Sequence, residues 1–184
     1  MVILIGKSAS GKDTVAKRLI KDYGYQKIVT WTTRPMRPGE KQDITYHYTS
    51  DEEFQDKIEE GFFAEWKKYD SVFGTWYYGT PLLEIESFTD ENRVIIITPD
   101  GYENIRQYLD RTTLVVYLDV KNSILKKRLK KRGDNPKEIK RRLKSDNEDF
   151  KGIKDKVHVV IENNNRDIDE ITKMVHKMHE MRKR

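Results

Sequence analysis

The sequence predicts an α/β fold of three layers, in which helices cover both faces of a parallel sheet. Short apolar runs alternate with helical patterns along the chain, and most of these runs are apolar without interruption. Continuous apolar strands are typical of parallel sheets buried on both faces, and their alternation with helices favours right-handed crossover connections. A length of 184 residues fits one domain of ordinary size.

The elements of the main sheet follow a regular order. Its five strands are predicted over residues 2–5, 28–33, 93–98, 113–119 and 157–162. The helices that follow them are predicted over residues 12–21, 100–110, 122–132 and 167–182. A strand followed by a helix is the repeating unit of a parallel sheet.

Residues 34–90 depart from this order and predict a small insert beside the main sheet. They contain Pro35, Pro38 and the aromatic alternation Tyr46-His47-Tyr48, which is typical of half-buried antiparallel strands. A short helix within the insert opens with Ser50 and has Glu53 three residues later, the spacing of a capping box.

Residues 133–150 predict a helical lid. They begin with the turn sequence Gly133-Asp134-Asn135-Pro136 and continue as a very basic helix with few apolar residues. The predicted organisation is therefore one domain, residues 1–184, with a core of residues 1–33, 91–132 and 151–184 that carries the insert and the lid.

The composition excludes several classes of protein. The chain has no cysteine, so a disulfide framework and a thiolate zinc site are excluded. No secretory signal is visible, and the longest apolar runs have five residues, far fewer than the ~20 that a membrane-spanning helix needs. We expect a cytoplasmic protein that does not bind membranes.

Positive charge is concentrated in one segment. The net charge of the chain is +5, but residues 121–144 hold twelve Lys and Arg against the two acids Asp134 and Glu138, so the rest of the chain is net negative. Such a cationic segment suits a polyanion, either a nucleic acid or the triphosphate of a nucleotide, and charge alone does not choose between them.

The strongest local motif runs from Gly6 to Thr14, with the sequence GKSASGKDT. It follows a predicted strand and opens a predicted helix, as a phosphate-binding loop requires. Its two glycines allow a tight backbone, the N–H groups and the helix N-terminus attract phosphate, and Lys12 can reach the β- and γ-phosphates. The alternative is a glycine loop that only connects a strand to a helix. Asp13 stands where the motif has Ser or Thr as a Mg²⁺ ligand.

Several further segments resemble the guanylate kinase family of P-loop nucleoside monophosphate kinases. They are TWTTRPMRPGE at 30–40, YHY at 46–48, FFAEW at 62–66, YYGTP at 77–81 and RLKKRG at 128–133, with Arg142-Leu143 following. The resemblance implies the P-loop NTPase fold with a five-stranded parallel sheet, a small mixed NMP-binding insert and a helical lid. It also implies transfer of the γ-phosphate of ATP to GMP or dGMP with Mg²⁺.

The chemistry of the acceptor site agrees with this resemblance. Arg34 and Arg37 can converge on one phosphate, to which Tyr46 and Tyr78 can donate uncharged hydrogen bonds. The carboxylate of Glu65 can accept from guanine N1–H and the exocyclic amine together, which adenine cannot satisfy. The residues that the resemblance implies for GMP binding are Thr30, Arg34, Arg37, Glu40, Tyr46, Glu65, Tyr78, Gly79, Thr80 and Thr98, the last standing where the family has Asp.

The donor site and the catalytic residues follow in the same way. The expected ATP-binding residues are Gly6, Ser8, Ala9, Ser10, Gly11, Lys12, Asp13, Thr14 and Arg128. The expected catalytic residues are Lys12, Arg34, Arg132 and Arg142, with Asp13 as the candidate metal ligand. In phosphoryl transfer the protein mainly aligns the donor with the acceptor and neutralises charge on the transferred phosphoryl group.

Other functions were weighed against this one. A catalytically silent binding module of the same family would lack the lysine of the loop and the lid arginines, which are present here. A divergent phage-type kinase acting on another deoxynucleoside monophosphate is a closer alternative, and a nucleic-acid binder has only charge in its favour. The partners expected are therefore the nucleotides, with the chain a monomer or homodimer. His176 and His179 are interpreted as part of a solvated helix face rather than as a metal pair.

Overall fold

A computed structural model describes residues 1–86 and 92–184. Its strands are β1 (Val2–Ile5), β2 (Gln26–Lys27), β3 (Trp31–Thr32), β4 (His47–Tyr48), β5 (Phe63–Ser71), β6 (Gly74–Pro81), β7 (Arg93–Ile96), β8 (Leu114–Asp119) and β9 (Val159–Glu162). Its α-helices are α1 (Lys12–Tyr23), α2 (Asp51–Glu59), α3 (Leu82–Glu86), α4 (Pro99–Ile105), α5 (Asn122–Lys131), α6 (Pro136–Asp149) and α7 (Ile168–Arg182). Short 3₁₀ turns follow α4 and α6.

The main sheet has five parallel strands in the order β2-β7-β1-β8-β9. The central strand β1 pairs with β7 on one side and β8 on the other, and all four of its side chains are fully buried. The core includes apolar side chains of α1 and α7, among them Leu19 and Val175. This sheet confirms the predicted α/β fold class.

A second sheet has the order β4-β3-β6-β5 and mixes one parallel pair with antiparallel pairs. Most of it is the long hairpin β5–β6. Phe54 of α2 is fully buried and stacks on Phe63 of β5 with the ring centroids 4.5 Å apart. Ser50 caps α2 by accepting a hydrogen bond from the backbone N–H of Glu53, as its spacing predicted.

The chain divides into two compact units. Unit 1 comprises Met1–Lys27, Glu91–Asp100 and Asp110–Arg184, and unit 2 comprises Ile28–Asp90 and Gly101–Leu109. The division into core, insert and lid stays a prediction, and the expected boundary between residues 90 and 91 lies outside the described residues. Within the described ranges, no helix combines the length and the apolar character needed to cross a membrane.

The strand predicted over residues 28–33 is wrong as a single element. The chain instead forms β2, which pairs with β7 of the main sheet, and then β3, which pairs with β4 and β6 of the second sheet. β2 therefore lies just before the predicted run, and only Trp31 and Thr32 within the run form a strand, which belongs to the second sheet. The apolar pattern misplaced the strand because β2 consists of two polar residues, which an apolar run does not mark.

The interpretation of His179 as solvent-exposed is also wrong. His179 is fully buried, its Nε2 lies 3.1 Å from the Met1 amino nitrogen, and its Nδ1 lies 2.8 Å from the hydroxyl of Tyr25. Burial, together with the charge of the neighbouring amino group, lowers the pKa of His179 to about 3. The imidazole is therefore neutral in the folded chain at physiological pH.

We predict that acidification destabilises the fold through His179. The unfolded chain protonates this histidine near its ordinary pKa of 6.5, whereas the folded chain does so only near pH 3, so the free energy of unfolding decreases as the pH falls below 6.5. Thermal melts at pH 7.5 and pH 5 should show a smaller acid-induced loss of Tm for His179→Gln than for the parent chain. The control is His176→Gln, at a half-buried position on the same helix, which should keep the parent pH dependence. Equal losses in all three proteins would contradict the assignment.

Candidate active site

The segment between β1 and α1 forms a loop whose backbone is shaped for anion binding. Gly11 lies at the N-terminus of α1 in the left-handed region, with φ 102°, and its carbonyl accepts from the N–H groups of Thr14 and Val15. A Cβ at Gly11 would also lie 2.7 Å from Nδ2 of Asn163, so glycine is required here for space as well as for its backbone angle. Ala9 adopts a left-handed φ of 63°, an uncommon conformation for a residue with a Cβ.

Lys12 lies at the first position of α1 with its ammonium group inside the loop. Its Nζ donates to the carbonyl of Gly6 at 2.6 Å and to that of Lys7 at 3.1 Å. Burial lowers the pKa of Lys12, while the carboxylates of Asp13 and Asp146 oppose this shift. The loop therefore concentrates one cation and the free end of a helix at one point, which is the arrangement that a phosphate chain requires.

Two residues from distant segments support the loop from behind. Asn163, just after β9, is buried and donates to the carbonyl of Ser10 at 2.8 Å. Arg128 of α5 donates to the carbonyls of Ala9 at 3.2 Å and of Asn163 at 3.0 Å. These contacts hold the loop against the sheet, and the expected contact of Arg128 with ATP stays a prediction.

Asp13 and Thr14 occupy the first turn of α1, and both are exposed. The carboxylate of Asp13 is a hard oxygen ligand of the kind that Mg²⁺ prefers. Across residues 1–86 and 92–184, no group of three His, Cys, Asp or Glu side chains could hold a metal by itself. Mg²⁺ commonly combines one or two carboxylates with water and substrate phosphates, and Asp13 fits that pattern.

The lid arginines, Arg132 at the C-terminal end of α5 and Arg142 in α6, are held by the two acids of the cationic segment. Arg132 makes a two-pronged ion pair with Asp134. Arg142 donates to Glu138 at 2.6 Å and lies 3.8 Å from Asp134. Glu138 is only 2% exposed and also accepts two hydrogen bonds from Arg141. The acids therefore fix the side chains of the arginines before a nucleotide arrives.

The second half of α6 contacts the phosphate-binding loop directly. A carboxylate oxygen of Asp146 accepts from the backbone N–H of Ser8 at 2.8 Å. The next residue, Asn147, accepts from Nζ of Lys7 at 2.6 Å and from the amide of Asn122 at 3.0 Å. Nothing in the local sequence pattern distinguishes Asp146 or Asn147 from the other polar residues of this basic helix, so their role is visible only in the fold.

In unit 2, Arg34 is the centre of a cluster of charged and aromatic side chains. It is only 4% exposed, and it donates to both carboxylate oxygens of Glu40 at 2.9 Å. Glu40 also accepts from the backbone N–H of Arg37 at 2.8 Å and from the hydroxyl of Tyr48 at 2.7 Å. Burial raises the pKa of Glu40, but these hydrogen bonds outweigh burial and hold the pKa below its ordinary value.

The two tyrosines predicted to bind phosphate lie beside this cluster. The guanidinium carbon of Arg34 lies 5.6 Å from the ring centroid of Tyr46, and the rings of Tyr46 and Tyr78 meet edge to face at 6.0 Å. The structure thus brings together Arg34, Tyr46 and Tyr78 from three separate segments of the sequence. Tyr48, whose hydroxyl binds Glu40, is a further member that the sequence analysis assigned no role.

The predicted guanine-binding residues centre on the hairpin β5–β6. Glu65 is half-buried and pairs across the hairpin with Thr80, whose fully buried hydroxyl donates to the Glu65 carboxylate at 2.5 Å. Burial raises the pKa of Glu65, although this hydrogen bond opposes the shift. Thr30 is buried next to β3, and its carbonyl accepts from the N–H of His47. A Cβ at Gly79 would lie 2.7 Å from the ring of Phe63, so Gly79 allows close packing.

Thr98 is half-buried and follows β7 in unit 1, whereas the other predicted GMP-binding residues belong to unit 2. The Lys12 loop, Arg128 and the lid arginines also belong to unit 1. Each unit therefore carries a distinct part of the chemistry: unit 1 has the loop for a phosphate chain, and unit 2 has the Arg34 cluster and the Glu65 carboxylate.

A phosphate-binding loop between the first strand and first helix of a parallel sheet defines a P-loop nucleotide-binding protein. Comparison with known proteins gives the family. The sequence model described as guanylate kinase matches residues 1–182, so the chain belongs to the guanylate kinase family. It is 35% identical over 181 residues to a guanylate kinase of Wolinella succinogenes, covering 95% of this chain and 80% of that protein.

Two further relatives agree with this assignment. A guanylate kinase of Clostridium tetani is 32% identical over 173 residues, which cover 88% of this chain and 81% of the relative. The crystal structure of guanylate kinase from Anaplasma phagocytophilum matches with a TM-score of 0.73 and 25% identity, covering 98% of this chain and 85% of that one. Sequence and structure therefore place the whole length of the chain in one family of nucleoside monophosphate kinases.

We predict that Ala9→Gly stabilises the protein. A residue with a Cβ in the left-handed region costs about 1 kcal/mol that glycine avoids, partly offset by the greater freedom of glycine in the unfolded chain. The free energy of unfolding from urea titration should rise by a few tenths to about 1 kcal/mol.

The control for this prediction is the same replacement in a helix. Ala16 is buried within α1, where Ala16→Gly should lower the free energy of unfolding by about 1 kcal/mol or more. If Ala9→Gly lowers it as well, the left-handed conformation of Ala9 is not a source of strain.

Proposed function

We propose that this chain is a guanylate kinase that transfers the γ-phosphate of ATP to GMP or dGMP, giving ADP and GDP or dGDP. The observation that carries the proposal is that one family match spans both the loop with Lys12 and the hairpin with Glu65. The first feature suits a phosphate donor and the second suits a guanine acceptor. Because ATP and nucleoside monophosphates are cytoplasmic metabolites, we also propose a cytoplasmic enzyme whose partners are these nucleotides.

On the donor side, the triphosphate of ATP is proposed to lie in the loop from Gly6 to Thr14. Its β- and γ-phosphates replace the carbonyls of Gly6 and Lys7 as partners of the Lys12 ammonium group. Arg132 and Arg142 supply further positive charge as they exchange Asp134 and Glu138 for phosphate oxygens. Each arginine keeps an anionic partner in this exchange, and the buried Glu138 keeps its ion pair with Arg141.

Magnesium is proposed to accompany ATP. Bound Mg²⁺ would neutralise charge on the β- and γ-phosphates, and Asp13 is the residue proposed to hold it, directly or through water. The exposed position of this carboxylate in the first turn of α1 suits a metal that retains most of its water.

On the acceptor side, the phosphate of GMP is proposed to bind Arg34, Arg37, Tyr46 and Tyr78. Glu40 accepts two hydrogen bonds from the guanidinium of Arg34, and these bonds fix the orientation of the arginine side chain. A charged arginine and uncharged tyrosine hydroxyls together hold the acceptor without protonating the oxygen that attacks the γ-phosphate. In-line attack then requires little more than alignment and charge stabilisation.

The guanine base is proposed to bind the carboxylate of Glu65, with Thr30 and Thr80 as hydroxyl partners. Thr80 occupies one oxygen of this carboxylate and orients the group. Because the carboxylate is half-buried, a base that offered no paired donors would leave it desolvated and unpartnered. Discrimination against adenine follows from this cost. Thr98 is proposed to assist as a further polar contact.

The test of the function is release of ADP from MgATP in a coupled assay with GMP, dGMP, AMP, CMP, UMP and dTMP in turn. We predict turnover with GMP and dGMP alone. Lys12→Ala should lower kcat/KM by at least about a hundredfold, since it removes a cation from the transferred phosphoryl group. Lys17→Ala, at an exposed position of the same helix, should retain the parent activity. Turnover with a nucleotide that carries a different base would support the proposed kinase activity but contradict the assignment of guanine as the base.

A second prediction concerns the base alone. Glu65→Gln keeps the size of the side chain but replaces an acceptor oxygen by a donor amide, so KM for GMP should rise at least about tenfold. Affinity for ATP should stay within about twofold of the parent value, because Glu65 is proposed to contact only the base. Glu52→Gln, an exposed charge removal on α2, is the matched control. If Glu65→Gln has the kinetics of the parent chain, the proposal that Glu65 binds guanine is wrong.

A further inference from the structure

Asp146 brings a negative charge to a loop that is otherwise arranged for anions. Its carboxylate accepts from the backbone N–H of Ser8 at 2.8 Å, so one of the loop's N–H donors is bound to the chain's own anion. Asn147, the next residue of α6, holds the Lys7 ammonium group at 2.6 Å and fixes this half of the helix against the loop. The contact is therefore part of a fixed arrangement involving two consecutive side chains of α6.

The Asp146 charge also reaches the cation at the centre of the loop. The pKa of Lys12 is lowered by burial, and Asp146 is one of two carboxylates that oppose the shift, Asp13 being the other. The Lys12 ammonium group nevertheless binds the carbonyls of Gly6 and Lys7 rather than the Asp146 carboxylate. The carboxylate thus lies near the positions proposed for the phosphates without neutralising the lysine that binds them.

We propose that Asp146 makes the nucleotide site select the metal complex of ATP over free ATP. This inference rests on the proposed kinase function. A metal-free triphosphate that binds the loop places its negative charge near the half-buried carboxylate of Asp146, where like charges repel more strongly than in bulk water. With a divalent cation on the phosphates, the same carboxylate faces a complex of much lower net charge. Asp146 becomes a specificity-determining residue, distinct from Asp13 in the first turn of α1.

The replacement Asp146→Asn isolates the charge. Asparagine has the same shape, and its amide oxygen can still accept from the N–H of Ser8, so the docking of α6 on the loop is preserved. Equilibrium binding of a fluorescent ATP analogue is measured twice for each protein, once with excess Mg²⁺ and once with EDTA. The quantity compared is the ratio of the two dissociation constants.

The expected result is a change in this ratio. Asp146→Asn should bind the metal-free nucleotide about tenfold more tightly than the parent, while its affinity for the magnesium complex changes less than about threefold. Glu148→Gln removes a charge from an exposed position of the same helix and should leave both constants unchanged. Asn147→Ala weakens the attachment of α6 to the loop without removing charge, so it should leave the ratio unchanged even if both affinities shift.

Three outcomes would overturn the proposal. An unchanged ratio in Asp146→Asn shows that the carboxylate does not sense the metal. Parallel loss of both affinities, or a ratio that changes equally in Asn147→Ala, shows that Asp146 only positions the helix. Binding of neither form of the nucleotide to the parent chain would instead refute the proposed kinase function, and the separate turnover assay with GMP distinguishes that failure from the others.

Discussion

Three arginines proposed to bind phosphate, Arg34, Arg132 and Arg142, are held in place by carboxylates of the same chain, and much of the proposed site depends on this pairing. A guanidinium that is nearly buried is stable only when its charge is compensated. Arg34 is 4% exposed and bound to Glu40, and Arg142 is bound to Glu138, which is itself 2% exposed. The protein can therefore keep strong phosphate-binding groups in fixed positions without the cost of a buried, unpaired charge.

We expect the same ion pairs to influence how phosphate binds. A phosphate oxygen that approaches Arg132 or Arg142 competes with a carboxylate, and the free energy of binding is the difference between the two pairings. Lys12 differs from these arginines because its partners are the neutral carbonyls of Gly6 and Lys7. A phosphate replaces these carbonyls more readily than it replaces a carboxylate. We therefore expect Lys12 to contribute most of the affinity for phosphate. We expect Arg132 and Arg142 to leave their carboxylate partners for phosphate oxygens only when the whole phosphate chain is bound.

Local patterns predicted the parts of the molecule whose partners lie close in sequence. The spacing from Gly6 to Lys12 between a strand and a helix predicted the loop, and Ser50 with Glu53 predicted a helix cap. Continuous apolar runs predicted the parallel sheet, because such runs suit strands covered on both faces. Resemblance to the guanylate kinase family went further and proposed Arg34, Tyr46 and Tyr78 as one set, which the structure brings together.

Residues whose environment is set by distant segments escaped prediction for a common physical reason. His179 lies in a stretch rich in charge, yet Tyr25, 154 positions earlier, provides the hydrogen bond that makes its burial possible. The run at residues 28–33 does not join the main sheet as predicted, because β7 pairs with Gln26 and Lys27 just before it, whereas β6 pairs with Trp31 and Thr32 within it. No local pattern identifies either partner. Asp146 is 138 positions from Ser8, and only the fold shows that its carboxylate faces the loop. The residues proposed to tune the nucleotide site thus come from long-range contacts, whereas those proposed to define its chemistry come from short motifs.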